Sequence, residues 1–217
     1  MSANLFDEIL GKLSPQVVSQ ISSKAGTSQS QTSDAISAAL PMLLAALANN
    51  SAKPGGAEAL SQAIDRDGHG SEDLETTLER QLTGGPKQTD SRMVDHMLGQ
   101  RRGSIEQALA AKTGASQDSI DQILQTLGPL VLGAIGKQKQ GQGLNPADLA
   151  GYLGQQKSAA KNKSGDMSSY LFDLLDANDD GSVVDDVLRL AGQFTTPPPF
   201  TYREPTATSA PWYLQAL

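Results

Sequence analysis

The sequence predicts an all-α protein: a helical bundle built from two pseudo-repeats, followed by a C-terminal helix–loop–helix. Three observations lead there. One helical segment occurs twice, as VSQISSKAGTSQSQTSDAISAALPMLLAALA at 18–48 and as EQALAAKTGASQDSIDQILQTLGPLVLGAIG at 106–136. Apolar residues recur at helical spacing almost throughout, between Ser or Pro starts and Gly stops. Finally, aromatics are only 4% of the chain and the apolar fraction is 38%, so the core must be Leu, Ile, Val, Ala and Met, which suits closely packed helices.

Overlaying the two segments pairs Lys24 with Lys112, Gly26 with Gly114, Ser28 with Ser116, Gln29 with Gln117, Pro41 with Pro129, Leu44 with Leu132 and Ala46 with Ala134. Most of the other matched positions that read as buried keep apolar character: Ile21/Leu109, Ile36/Leu124, Ala39/Leu127, Met42/Leu130, Leu43/Val131 and Leu47/Ile135.

In chain order, Leu5, Phe6, Ile9, Leu10 and Leu13 predict a helix over 4–13. Ser14-Pro15 reads as an N-cap followed by proline at the first helical position, and Gly26 as a left-handed stop. Thr27 or Ser28 caps a long helix to about residue 49. Pro41 falls inside it, and the lost hydrogen bond predicts a kink or break near residue 40. A loop at 50–56 leads to a helix over 57–64. The polar turn Asp65-Arg66-Asp67-Gly68-His69-Gly70-Ser71 follows, then a helix over 72–82, broken at Gly84-Gly85-Pro86. Met93, Val94, Met97 and Leu98 mark the next helix, which ends at Gly99. Ser104 reads as the cap of a helix ending at Gly114, and Ser116 starts the second long helix, with Pro129 inside. Asn145-Pro146 starts a helix through 153. Residues 155–166 have the composition of a flexible linker. The predicted organisation is therefore a duplicated helical domain at 1–154 (repeats about 1–85 and 86–154), a linker at 155–166, an acidic helix–loop–helix at 167–194 and a disordered Pro/Thr-rich tail at 195–217.

Composition narrows the function classes. There are no cysteines, which excludes disulfides and thiolate metal sites. A net charge of −7 and a pI near 4.8 argue against a nucleic-acid binder, which needs a basic face for phosphates. Residues 1–13 lack the charged start and apolar run of a secretory signal. The apolar run 127–135 is too short to span a bilayer and contains Gly128 and Pro129. The expectation is a soluble protein, cytoplasmic by default, with no nucleic-acid partner and no transmembrane segment.

The motif nearest to chemistry is LLDANDDGSVVDDVLRLAG. Asp176, Asn178 and Asp180 stand at positions 1, 3 and 5 of an EF-hand-type loop, Gly181 at the turn and Ser182 at position 7, where the backbone carbonyl serves. Three side-chain oxygens at alternate positions suit Ca²⁺. Position 12, normally a bidentate carboxylate, is Val187; the nearest acids are Asp185 and Asp186. The loop is then either a tighter, weak calcium site closed by Asp185 or Asp186, or a capped acidic turn that holds no ion. The turn at 65–71 is a fainter echo, with His69 in place of the position-5 carboxylate and Arg66 opposing a cation; it reads as a connecting turn without an ion. His69 and His96 are too isolated for a metal cluster or a triad, and His96 reads as a partly buried packing residue. Arg101-Arg102 reads as a solvated helix terminus. No G-x-S-x-G, phosphate-binding loop or H-E-x-x-H occurs, and no catalytic or cofactor-binding residue is assigned. Trp212, the lone Trp, lies in the tail.

The run HMLGQRRGSIEQALAAKTGASQDSIDQILQTLGPLVLGAIGKQ, the earlier KAGTSQSQTSDAISAALPMLLAALA, the turn DGHGS and the ending DANDDGSVVDDVLRLAG resemble the YidB-like bacterial proteins, known as domain of unknown function 937. The resemblance covers residues 1 to about 194; from Thr195 onward it has no counterpart. It implies an all-helical bacterial protein. It implies no activity, so no catalytic residue is carried over. The family's acidic ending resembles 176–186 here, which implies a shared structural or ion-binding role.

The functional expectation is a non-enzymatic scaffold or interaction protein with a weak calcium site in the acidic loop. One alternative is a module that homo-oligomerises through its small-residue helices without an ion. Another is an enzyme whose site forms between the repeats. The partner is an unknown protein or a second copy of the chain.

Overall fold

In the computed structural model, residues 5–84 and 88–163 are described, with side chains through 160; all belong to one compact unit. Nine α-helices are described: α1 Leu5–Lys12, α2 Pro15–Ala25, α3 Gln29–Ala52, α4 Gly56–Arg66, α5 Leu74–Thr83, α6 Gln88–Leu98, α7 Arg102–Thr113, α8 Gln117–Gln142 and α9 Pro146–Lys163. A 3₁₀ turn, Gly99–Arg101, joins α6 to α7, and no strand occurs among the described residues.

Local chemistry sets most helix ends. The Ser14 hydroxyl accepts from the Val17 N–H, with Pro15 at the first helical position. Gly26 ends α2 in the left-handed conformation at φ 64°. Ser28 and Gln31 form a reciprocal capping box at the start of α3. The same devices recur downstream: Gly114 ends α7 at φ 70°, and the Ser116 hydroxyl accepts from the Ser119 N–H to start α8. Asn145 caps α9 by accepting from the Asp148 N–H at 3.0 Å.

The two long helices, α3 and α8, pack on each other and carry the rest. α2, α4, α6, α7 and α9 pack on α3, and α1, α2, α4, α5, α6 and α7 pack on α8. α3 is apolar nearly all round, and such a helix is stable only when enclosed. It is long and apolar enough to cross a membrane by length and composition alone, yet most of it is buried inside this bundle. The fold supplies its apolar surroundings. Both members of every apolar pair named in the sequence overlay are buried, from Ile21 and Leu109 to Leu47 and Ile135.

Some expectations change. Neither Pro41 nor Pro129 breaks its helix: α3 and α8 run through them as continuous helices of 24 and 26 residues. Both prolines are buried, so packing on either side holds the helix across the missing hydrogen bond. Ser104 is not a cap. The 3₁₀ turn leads straight into α7 at Arg102, with no side-chain cap, and Ser104 lies in the first turn.

The flexible linker read at 155–166 does not hold over 155–163, which belong to α9. This stretch is anchored by tertiary contacts that its composition hides. Buried Gln156 accepts from the Leu5 N–H at 2.8 Å, Ala160 is fully buried, and Lys157 donates to Asn49 at 2.9 Å. The helix therefore also crosses the boundary set at 154.

Candidate binding groove

α4 and α6 both stand on α3 and α8, and a groove of about 990 Å³ opens between them. Leu47 of α3 and Pro129 and Leu132 of α8 contribute apolar surface to it. Leu60 and Ala63 line it from α4, Met93 and Met97 from α6. Lys53, Arg66, Arg80 and Arg92 bring positive charge, against Asp67 and Asp90. Thus a chain of net charge −7 carries a groove with more basic than acidic lining residues. The volume is at the upper end of what a small ligand needs, roughly 300–1,000 Å³.

The turn at 65–71 closes one end. Its carboxylates do not converge on one point. Asp65 pairs with Lys139 of α8, which also donates to the Ser61 carbonyl at 3.3 Å. Asp67 is bound through both oxygens by Arg66, at 2.7 and 2.9 Å. That hydrogen bonding holds the Asp67 carboxyl below its ordinary value, and burial opposes it only in part. Among the described residues no group of three or more His, Asp or Glu side chains is arranged to hold a metal ion. The turn is instead seated by glycine. At Gly136 of α8 any side chain would overlap the His69 carbonyl, and at Gly70, with φ 92°, one would overlap the Gly136 backbone.

That seating carries His69 inward. It is half-buried, lines the groove, and its Nε2 is enclosed with no hydrogen-bond partner among the described residues. Burial lowers its pKa and Arg80 adds to this, while Asp67 and Asp90 pull the other way. The imidazole is therefore held toward its neutral form. His96, expected to be partly buried, is exposed at the groove. Asn50 donates to the His96 and Met97 carbonyls at 3.3 and 2.9 Å, which ties the end of α3 to α6.

α6 is fixed from behind by Arg102, which sequence reasoning took for part of a solvated terminus. Its side chain is only 16% exposed. It donates to Glu106 at 2.7 Å, to Asp95 at 2.6 Å, to Asp121, and to the Ser91 carbonyl and hydroxyl at 3.0 and 3.1 Å. Burial disfavours the charge, but the three carboxylates outweigh it and raise the guanidinium above its ordinary value. One side chain thereby joins α6, α7 and α8. The signal in sequence was the Glu four residues on, a helical ion-pair spacing; Asp95 and Asp121 are visible only in the fold.

The calcium-type residues Asp176, Asn178, Asp180, Ser182, Asp185 and Asp186 lie outside the described residues.

Fold and groove together define an all-helical protein with an open, apolar, basic-rimmed cleft. The chain belongs to the family described as bacterial protein of unknown function, DUF937, whose model matches residues 7–138. That match contains α2 to α7, nearly all of α8, and every described residue lining the groove. No curated protein and no solved structure is significantly similar to the chain.

Proposed function

We propose that this protein is a non-enzymatic interaction module whose groove between α4 and α6 receives a segment of a partner protein. The observation that carries the reading is a sizeable apolar channel that the described residues leave open in an otherwise well-buried helical body. Clefts with apolar walls and a few polar groups at the rim are where ligands and partner segments dock. The groove draws α3, α4 and α5 from the first half of the chain and α6 and α8 from the second. A catalytic reading of the same site has less support, because the His69 Nε2 is enclosed rather than presented to a substrate. Self-association through small-residue helices also has less support, since Ala35, Ala38, Ala39, Ala45, Ala46 and Ala48 of α3 are buried within one chain. The test is a photo-crosslinking side chain at Leu60 in the full chain, in bacterial cells, against one at exposed Ser33. The reading expects one dominant adduct from Leu60 that is absent from Ser33. Equal labelling at both positions, or none at Leu60, overturns it.

The acidic loop is proposed as a separate, weak calcium site formed by Asp176, Asn178, Asp180 and the Ser182 carbonyl, with Asp185 or Asp186 closing the shell. Support comes from the alternate spacing of oxygen ligands around Gly181. With Val187 at position 12, affinity on the order of 10⁻⁴–10⁻³ M is expected, and Mg²⁺ should bind less well. Calorimetric titration of the full chain checks this, with Asp176→Ala plus Asp180→Ala as the control. Absence of heat at millimolar Ca²⁺, or equal heat from the double variant, leaves the loop a capped acidic turn.

A further inference from the structure

We infer that the groove's occupant is an acidic amphipathic helix of a partner protein; this rests on the groove reading above and names its ligand. The recognition modes open to a peptide differ in what the receptor must offer. Strand addition needs an exposed sheet edge, and the described residues contain no strand. A polyproline segment needs an aromatic-lined groove, and no Phe, Tyr or Trp among the described residues lines this one. A helix laid in a groove needs a hydrophobic channel of helical width, and Met at the wall adapts to its side chains. Half-buried Met93 lines the groove from α6, with Met97 beneath it at 3% exposed, and Leu60 and Ala63 line it from α4.

The size agrees. The walls α4 and α6 are 11 residues each, about 16 Å long at about 1.5 Å per residue. A helix about 10 Å across and of that length displaces roughly 1,250 Å³. A groove of about 990 Å³ is of the same order, so a helix of about two to three turns can lie in it with its outer face in water. Such a helix would complete the layer that α4 and α6 begin.

The charge sets its sign. Arg66 and Arg80 at the groove are salt-bridged to Asp67 and Glu72, and all four partners are well exposed. Arg92, exposed on α6, has no acidic partner among the described residues. A visiting helix with Asp or Glu along its flanks meets Arg92 directly and shares the others. A basic helix meets repulsion at Arg92 and finds Asp67 already held by Arg66.

The probe is a fluorescent 14-residue helical peptide with Leu at i, i+3, i+4 and i+7 and Glu on both flanks, beside a twin with Lys for Glu. Anisotropy is read on the full chain at low and physiological salt. The acidic peptide should bind saturably and its twin should not. Arg92→Glu should weaken the acidic peptide about tenfold at low salt and less at high salt, with the melting temperature unchanged. Equal binding of the twins, or indifference to Arg92→Glu, overturns the inference. If neither peptide binds while the Leu60 crosslink persists, the ligand chemistry is wrong and the groove reading stands. If that crosslink is also absent, both fall. An adduct that proves to be a second copy of this chain overturns the inference as well.

Discussion

The His69 carbonyl rests against Gly136 with no room for a side chain between them, so the 65–71 turn meets α8 backbone to backbone. Gly136→Ala must push the turn off the helix. The expected cost is that of overpacking, about 1–3 kcal/mol. Gly70→Ala should cost at least as much, because its φ of 92° is strained for any L side chain. Thermal unfolding measures both, and a wild-type melting temperature for Gly136→Ala would mean the turn is not seated there.

Arg102 has a consequence of similar kind. Arg102→Ala leaves Glu106, which is 10% exposed, and Asp121, which is 30% exposed, without their counter-charge. The expected loss is about 3 kcal/mol, the lower end for stranding a buried charge. Asp95 is 57% exposed and adds little. Arg102→Lys should not restore stability, since an ammonium cannot reach three carboxylates as a planar fork does. Denaturant titration of the two variants checks this; full rescue by lysine would reduce Arg102 to a point charge.

His69 makes stability depend on pH. Its folded pKa is lowered from about 6.5 by burial, so the unfolded chain takes up the proton first. Stability from this group is fully present above about pH 6.5 and is lost as pH falls from there through the lowered folded value. His69→Gln should flatten the fall in melting temperature between about pH 7 and pH 5.5. An unchanged slope would show that the imidazole titrates as freely in the fold as outside it.

The two long helices predict matched behaviour. Leu44 and Leu132 are 0% and 6% exposed, and replacing either with Ala should cost about 2–5 kcal/mol. Superposing residues 18–48 on 106–136 should bring Gly26 onto Gly114 and Pro41 onto Pro129 if both derive from one duplicated unit. Divergent backbones would remove the duplication. The two segments differ in the use of one matched residue. Lys24 donates to the Gln81 and Gly84 carbonyls at the end of α5, whereas its counterpart Lys112 is exposed.

What was legible in the sequence was local. Ser14-Pro15, Gly26, Ser28, Gly114, Ser116 and Asn145 each act within four residues, so their roles follow from type and position. The apolar faces of α3 and α8 were legible for the same reason. Features set by distant parts of the chain were not. GQQKSAAKNK reads as a linker until Gln156 finds the backbone of Leu5, 151 residues away in sequence. Arg102 reads as a terminus until α6 and α8 bring Asp95 and Asp121 to it. The groove belongs to this second kind: Leu60, Met93 and Leu132 look like three ordinary core positions, and only the spacing of α4 and α6 on their shared floor leaves them facing a channel.

The central claim is that this channel is a docking site, and its methionines can report on that. Met93 is half-buried at the groove and Met97 lies beneath it at 3% exposed, whereas Met42 is 1% exposed in the core of α3, away from the groove. With the methionine methyls of the full chain isotopically labelled, the segment recovered from the Leu60 crosslink should be titrated in and followed by NMR. The account predicts saturable shifts of the Met93 and Met97 methyls while Met42 stays in place. Shifts at Met42 alone, or unmoved Met93 and Met97 at saturating segment, would contradict it.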